Sequence, residues 1–419
     1  MPTDHVTCRD PADQDESLLL DVGIPFRMVD GQLYMESQAH HGVQCWLDNF
    51  KRVTLCAPVI PESLADRSME WIPAGPLLQT PGFSPIPLPW GYGIRNHSKH
   101  ASAVRRTLRT LIPNHRWLCY SNLGWLGAWG RIGAEESFKI RRPFAIWLDW
   151  VLQDMPLRPE LSIIKRLWRK TERSLLSHLV LRDVRRASLG LFNGRTVFDA
   201  YSAISKNARV VHDIHLSEAE IILADQLHAR LSRNDSTFRI IYVGRVHEMK
   251  GPRHWLEAIA AVIAQHKGPQ RITATWIGDG PLLQDMREAV TMRNLSEYVF
   301  FPGLERDRHR VITALRHADL FAFCHMTPES PRVLIEALMS GLPILGFTST
   351  YALDLLGDHV AGGSFVPAGD SKALAFQVSR CLQDLTLLRN MSEAAHSAGR
   401  RYSDVRVFRQ RSDFIKELL

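Results

Sequence analysis

The amino-acid sequence predicts an α/β protein made of two units, each a doubly wound parallel sheet. Three observations carry that expectation. A chain of 419 residues and 47.6 kDa exceeds what one hydrophobic core usually organises, so two domains of roughly 200 residues are expected. From Phe238 onward, short apolar runs alternate with amphipathic helical patterns, the signature of successive β-α-β units. The chain also opens on such a unit, with apolar runs at 18–24 and 52–58 flanking a helical pattern that ends across 43–50.

Taken in order, residues 1–16 are polar and acidic and read as a disordered lead-in. Between the first two strands, Asp30-Gly31 in the loop 28–35 is a turn signal. The proline-rich stretch 61–90 is expected to be irregular and packed on the surface. Residues 117–121 and 144–149 read as further buried strands. Between them, 122–130 is rich in glycine and tryptophan, whose flat faces either stack on sugar rings or pack in an aromatic core.

The stretch 161–187 reads as a strongly basic helix, with Lys165, Arg166, Arg169, Lys170, Arg173, Arg182, Arg185 and Arg186 among leucines, isoleucines and Trp168. Such a helix either lies on an anionic membrane surface or packs its apolar side on the sheet and leaves its charges solvated. Strands at 189–192 and 208–211 complete the first half. The polar run ahead of Phe238 then sets a boundary, giving domains at 1–235 and 236–400 and a helical tail at 401–419.

In the second half, strands are expected at 239–243, 272–277, 298–301, 319–324 and 342–347, and helices near 252–266, 281–293, 306–317, 331–340 and 371–385. A sheet of this kind binds its ligands at the carboxyl ends of its strands. Three of those ends carry chemistry. The first runs Gly244-Arg245 to Lys250-Gly251, which can set two permanent cations at one strand end. The second carries Gly278 and Gly280. The third is a loop with Glu329 leading to a helix that has Ser330 as N-cap, Pro331 in its first position and Gly341 as its stop. The amides of Arg332, Val333 and Leu334 would point out of that helix start and form an anion site. Glu336, in the first two turns, could accept hydrogen bonds from a vicinal diol beside the anion. Two carboxylates flanking an anion-binding helix start suit a nucleotide sugar; the bland alternative is a favourable charge near a helix start and a loop residue.

The run Glu336-Ala337-Leu338-Met339-Ser340-Gly341-Leu342-Pro343 resembles the signature helix of family 4 retaining glycosyltransferases of the GT-B fold, whose pattern is a glutamate, seven residues, a second glutamate, then Ala-x-x-x-Gly-x-Pro. Only six residues separate Glu329 from Glu336 here. The 244–251 turn resembles the family's Gly-Arg-x-x-x-x-Lys-Gly element, and 278–281 its Gly-x-Gly-Pro loop. Phe301-Pro302-Gly303 resembles the segment near the base. The resemblance spans about 236–400 and implies two Rossmann-like domains facing across a cleft. It assigns the donor diphosphate to Arg245 and Lys250, the ribose to Glu336, the approach to the donor sugar to Glu329, and a phosphate-facing loop to the region of Gly31. It implies a tail helix crossing back to the first domain. It also implies a nucleoside-diphosphate sugar as donor substrate without a further cofactor, retention of anomeric configuration, and a glycan, lipid-linked or small-molecule acceptor. Other GT-B activities remain as alternatives: a nucleotide-sugar epimerase, a glycogen-type synthase or phosphorylase, or a sugar-nucleotide-binding protein without catalysis.

Composition bounds these readings. No apolar run approaches the roughly 20 residues that span a bilayer, and the first residues lack signal-peptide character. The expected location is therefore the cytoplasm, with the inner face of the plasma membrane as a peripheral site. Six scattered cysteines without a Cys-x-x-Cys pair predict neither a disulfide framework nor a zinc site. No Asp-x-Asp metal motif stands out near the candidate turns, so no metal is expected and the charge of a departing diphosphate would fall to fixed cations and dipoles. The excess of 51 Lys and Arg over 44 Asp and Glu, with a pI near 9.2, suits nucleoside diphosphates or an anionic phospholipid surface. A nucleic acid is not expected as partner.

Overall fold

The structure, a computed structural model, describes residues 16–65, 70–121, 128–152, 163–214, 216–233, 236–327 and 330–419, leaving aside the side chains of residues 38 and 163–170. The chain forms two compact units, Met1–His215 with Phe408–Leu419, and Leu216–Val407.

The first unit contains β1 (Ser17–Asp21), β2 (Arg27–Val29), β3 (Gln32–Glu36), α1 (Ser37–Leu47), β4 (Arg52–Pro58), β5 (Trp71–Pro73), α2 (Gly75–Leu78), β6 (Phe83–Leu88), α3 (Ile94–Leu111), β7 (Trp117–Tyr120), α4 (Gly130–Lys139), β8 (Ala145–Leu148), α5 (Ile163–Arg186), β9 (Leu189–Asn193), α6 (Gly194–Tyr201) and β10 (Ala208–Val211). Its main sheet is parallel, in the order β10-β9-β8-β7-β1-β4-β6. Because side chains alternate across a strand, Leu18 and Leu20 of β1 join one core cluster, with Val43 and Trp46 of α1. Leu19 joins the other, with Val104, Ile132, Val184 and Val197 from α3 to α6.

Two features of this unit differ from expectation. The proline-rich stretch contains an edge strand, β6, in register with β4. The Val53 amide donates to Gly82 O and the Val59 amide to Leu88 O. The even-numbered residues of β6 thus face β4, and Pro85 and Pro87 turn their missing amides outward, which is where an edge strand tolerates proline. The loop 28–35 is a β-hairpin: β2 and β3 pair antiparallel with Val29 opposite Gln32. Asp30 (φ 49°) and Gly31 (φ 76°) form the two-residue turn that such a hairpin favours.

The second unit contains α7 (Ala224–Leu231), β11 (Thr237–Val243), α8 (Pro252–Gln265), β12 (Arg271–Ile277), α9 (Leu283–Met292), β13 (Val299–Gly303), α10 (Arg308–His317), β14 (Leu320–Phe323), α11 (Arg332–Met339), β15 (Ile344–Phe347), α12 (Thr350–Leu356), β16 (Gly363–Val366), α13 (Ser371–Gln383), α14 (Leu385–Gly399) and the start of α15 (Asp404–Leu418). Its sheet, also parallel, runs β13-β12-β11-β14-β15-β16.

The boundary expected at 235 falls earlier, at His215. Segment 216–233 is tied to the second unit: the Ile222 amide donates to Met339 O at 2.9 Å. The buried Arg230 guanidinium donates to Ser340 O at 2.8 Å and Gly341 O at 2.5 Å. At the other end, Phe408 and Ile415 of α15 belong to the first unit's core. Arg411, fully buried, lies over Trp147 at 4.3 Å and Phe408 at 5.1 Å and donates to His212 O. Burial lowers its pKa, and Asp213 at 3.5 Å opposes that shift.

Candidate active site

In the second sheet, order reverses between β11 and β14: β12 and β13 extend one way, β15 and β16 the other. A doubly wound sheet binds its ligands outside the carboxyl ends at such a point. The turn 244–251 and the segment 324–327 meet there.

β11 hands over to Gly244, whose amide donates to Ile277 O at 2.9 Å and whose carbonyl accepts from Trp276 Nε1 at 2.9 Å. The Val246 amide reaches Asp279 O at 3.0 Å, so this turn is laced to the one carrying Gly278 and Gly280. The Gly278 amide in turn donates to Gly303 O at 2.9 Å, which brings the Phe301-Pro302-Gly303 segment alongside. Arg245 is exposed and Lys250 half-buried. Lys250 ends a single 3-10 turn capped by His247, whose side chain accepts from the Met249 amide.

Gly251 follows in the left-handed region (φ 62°, ψ 45°) and lets Pro252 open α8. A Cβ here would sit 2.1 Å from Cys324 O, so only glycine allows the two segments this close. The Met326 amide closes the junction by donating to Met249 O at 2.9 Å. The segment after β14 is thereby pinned to the turn that carries Lys250.

His325, at the end of β14, is a residue the sequence reading passed over. Its Nε2 lies 2.7 Å from Tyr242 Oη, and both side chains are buried. Burial, and secondly the Lys250 charge, hold its pKa well below the usual range, so the imidazole is neutral at pH 7. As the first polar residue after the apolar run 319–324, it was a signal available in the sequence.

α11 starts one residue later than expected. Pro331, not Ser330, occupies the N-cap (φ −74°, ψ 117°), and Arg332 is the first helical residue. The residue before a proline avoids helical ψ, but the proline itself is also extended here, so the helix begins after it. The Pro331 carbonyl accepts from the Leu334 amide at 3.1 Å. Of the three amides expected at the helix mouth, this bond takes up that of Leu334, while those of Arg332 and Val333 precede the helical ladder.

Glu336 keeps its place inside α11 with a side chain 13% exposed. Its Oε1 accepts from Arg308 Nη2 at 3.2 Å, a partner absent from the sequence reading. Arg308 opens α10 behind the capping Asp307, and its Nε also lies 3.5 Å from Glu220. One guanidinium thus bridges two carboxylates.

Arg245, Lys250, Gly244, Gly278, Gly280, Ser330, Pro331, Arg332, Val333 and Glu336 all belong to the second unit, on loops or helix starts that follow its strands. Gly31 belongs to the first, in a hairpin rather than a glycine-rich loop. Glu329 lies outside the described residues. So do residues 122–127 of the glycine- and tryptophan-rich loop and the side chains of Lys165, Arg166, Arg169 and Lys170.

Residues 224–398 match the family described as Glycosyl transferases group 1. The chain is similar to the exopolysaccharide phosphotransferase SCO2592 of Streptomyces coelicolor, 28% identical over 172 residues that cover 40% of this chain and 17% of that protein. It is also similar to the 2-deoxystreptamine N-acetyl-D-glucosaminyltransferase of Streptomyces fradiae, 31% identical over 156 residues, 37% of this chain and 36% of that one. These matches thus span only about a third or less of the curated relatives. The structure of Anabaena HepE in complex with UDP superposes with a TM-score of 0.65 at 18% identity, covering 96% of this chain and 100% of that one. The fold is that of GT-B proteins.

Proposed function

We propose that this chain is a retaining glycosyltransferase that moves a sugar from a nucleoside-diphosphate sugar to a glycan, lipid-linked or small-molecule acceptor. The observation that carries the reading is the junction at the switch point. There the turn bearing Arg245 and Lys250 is held by backbone contacts against the segment that leads into α11, within the region that matches group 1 glycosyltransferases. The UDP and UDP-glucose complexes named for HepE support a nucleotide-sugar donor, with uridine as the first base to try.

In this reading the donor diphosphate lies between the cations of Arg245 and Lys250 and the start of α11, where the helix dipole favours negative charge. Glu336 accepts from the ribose diol, and the Gly278–Gly280 turn lines the nucleotide. When the bond from the anomeric carbon to the diphosphate oxygen breaks, its electron pair leaves with the phosphate. Fixed cations and dipoles aimed at that oxygen stabilise the developing charge without reorganising. The acceptor oxygen then bonds to the anomeric carbon from the same face, and its proton passes to the departing phosphate. Retention follows without a protein nucleophile. Glu329 is assigned to the donor sugar. His325, being neutral, adds no charge and fixes the base of the Lys250 turn through Tyr242.

The acceptor side falls to the first unit, where α5 carries the basic stretch and an anionic membrane surface is the proposed neighbour. No helix among the described residues is long and apolar enough to cross a membrane. The direct test is a panel of nucleotide sugars with released nucleotide as readout, run with and without excess EDTA. Turnover of one donor in both conditions is expected. No turnover of any donor, with no nucleotide binding, refutes the assignment. Turnover that EDTA abolishes and manganese or magnesium restores refutes the metal-free mechanism alone.

A further inference from the structure

The second unit has a cavity at the opposite end of its central strands from the candidate active site. It measures about 420 Å³ and is lined by Ile222, Gln226, Ala229, Arg230, Arg233, Thr313, Arg316 and His317. Arg233 precedes β11 and His317 precedes β14, and those strands are parallel neighbours. The cavity therefore lies at the amino ends of the strands whose carboxyl ends hold Arg245, Lys250 and His325. A strand of seven residues puts roughly 20 Å between the two.

Its charge is unbalanced. Arg230 is 6% exposed. Its Nη groups donate to three carbonyls, those of Ser340, Gly341 and Arg316, and carbonyls carry no full counter-charge. Burial lowers its pKa to about 10, which leaves it cationic at neutral pH. Arg316 likewise donates to two carbonyls, Ala219 O and Glu220 O. Of the three guanidiniums, Arg233 pairs directly with a carboxylate, Asp319 at 2.7 Å, whose charge also acts on Arg230, so one carboxylate faces three cations. The Nε–H of Arg230, of Arg233 and of Arg316 are each buried without a hydrogen-bond partner among the described residues. Leaving one such donor unmet is unfavourable, and here three share one cavity. Positive charge in excess of its counter-charge in a buried site is costlier still.

We propose that this cavity is a second anion-binding site, which takes a small organic phosphate. A phosphate monoester brings nearly two negative charges and three acceptor oxygens at neutral pH, matching the two positive charges by which the three guanidiniums exceed Asp319. Gln226, Thr313 and His317 supply polar contacts, and Ile222 and Ala229 a small apolar wall, for the body that carries the phosphate. The volume lies within the usual range for small-molecule sites. Arg230 also ties the site to the donor side: the carbonyls it holds, Ser340 and Gly341, end the helix whose start faces the proposed donor diphosphate. The inference stands on this cavity and does not depend on the chemistry proposed at the carboxyl ends of the strands.

Calorimetric titration tests it on the full chain, with glucose 6-phosphate as probe and glucose and inorganic phosphate as comparison arms, each in saturating UDP. Glucose 6-phosphate is expected to bind at one site with UDP present, and glucose not to bind. Binding should weaken at least ten-fold in Arg316→Gln. It should weaken likewise in Gln226→Glu, an isosteric change that keeps the acceptor for the Leu223 amide and adds a negative charge to the rim. Equal affinity for inorganic phosphate would identify the free anion as ligand of the same site. Absence of binding by both phosphates, loss of binding when UDP is present, or unchanged affinity in both folded variants overturns the proposal. UDP binding, measured separately, reports on the donor site whichever way this test falls.

Discussion

Replacing Glu336 by alanine tests the donor site most sharply, because the structure supplies both the expected loss and its control. The carboxylate is mostly covered, and Arg308 engages one oxygen at 3.2 Å. If the carboxylate also accepts from a ribose diol, its loss removes a charge-assisted hydrogen bond worth about 1.5–3 kcal/mol, a ten- to hundred-fold rise in donor Kd. The ion pair itself contributes little to folding, since Arg308 is 44% exposed and such pairs are worth about 0–1 kcal/mol. The two effects separate in Arg308→Gln, which removes the pair and leaves the carboxylate. Calorimetry with the preferred nucleotide sugar, beside thermal unfolding of each variant, should therefore show weak donor binding in Glu336→Ala, near-normal binding in Arg308→Gln, and small melting shifts in both. Donor affinity unchanged in Glu336→Ala would refute the ribose role. Equal affinity loss in the two variants would mean that the Arg308 pair, not the ribose contact, shapes the site.

Arg245→Ala and Lys250→Ala should each lower the rate of sugar transfer by ten-fold or more while shifting the melting temperature by only a few degrees; parallel losses of activity and stability would make the turn a structural one. His325 gives a pH signature: its folded pKa is depressed, so the unfolded chain alone takes up that proton below about pH 6.5. Stability should then be flat above that pH and fall by about 1.4 kcal/mol per unit below it for this one group. The slope should shrink in His325→Gln, and an identical slope in that variant would show the imidazole to be ordinary. For the basic helix, the chain should sediment with anionic phospholipid vesicles at low salt and be released at high salt. It should bind less when Lys165, Arg166, Arg169 and Lys170 become glutamine, at about 1 kcal/mol per lost cation. Indifference to such vesicles at low salt would turn the search towards a soluble acceptor.

The pieces of this site that could be read from sequence are those whose chemistry is local. Expected and observed strands coincide at β4, and β11 and β12 differ only at their first residue or two, because buried parallel strands are written as unbroken apolar runs. The Gly244 to Gly251 turn could be read because glycines and a proline bound it. Elements without such a local mark were missed: α3, whose surface is largely basic and polar, and β16, a short strand beginning in glycine. Pro85 and Pro87 disguised β6, since an edge strand differs from a loop only in which side its prolines face.

The side-chain pairs of the site obey a different rule. Tyr242 and His325 are 83 residues apart and Arg308 and Glu336 are 28 apart, so neither pair has a spacing that a helical or strand period could reveal. What joins them is strand order. Alternating β-α units establish that the sheet is parallel, but not whether β14 lies beyond β13 or returns to β11. In the first arrangement Lys250 and the start of α11 would stand at separated strand ends. In the observed one, β14 pairs with β11, and the turn with Arg245 and Lys250 is pressed by Gly251 onto Cys324 O. That contact has no slack: a Cβ at 2.1 Å from a backbone oxygen cannot be relieved by turning a side chain. Gly251 was legible as a turn residue, yet its role is to let the Lys250 turn and the segment after β14 touch, and only the reversal of strand order creates that demand.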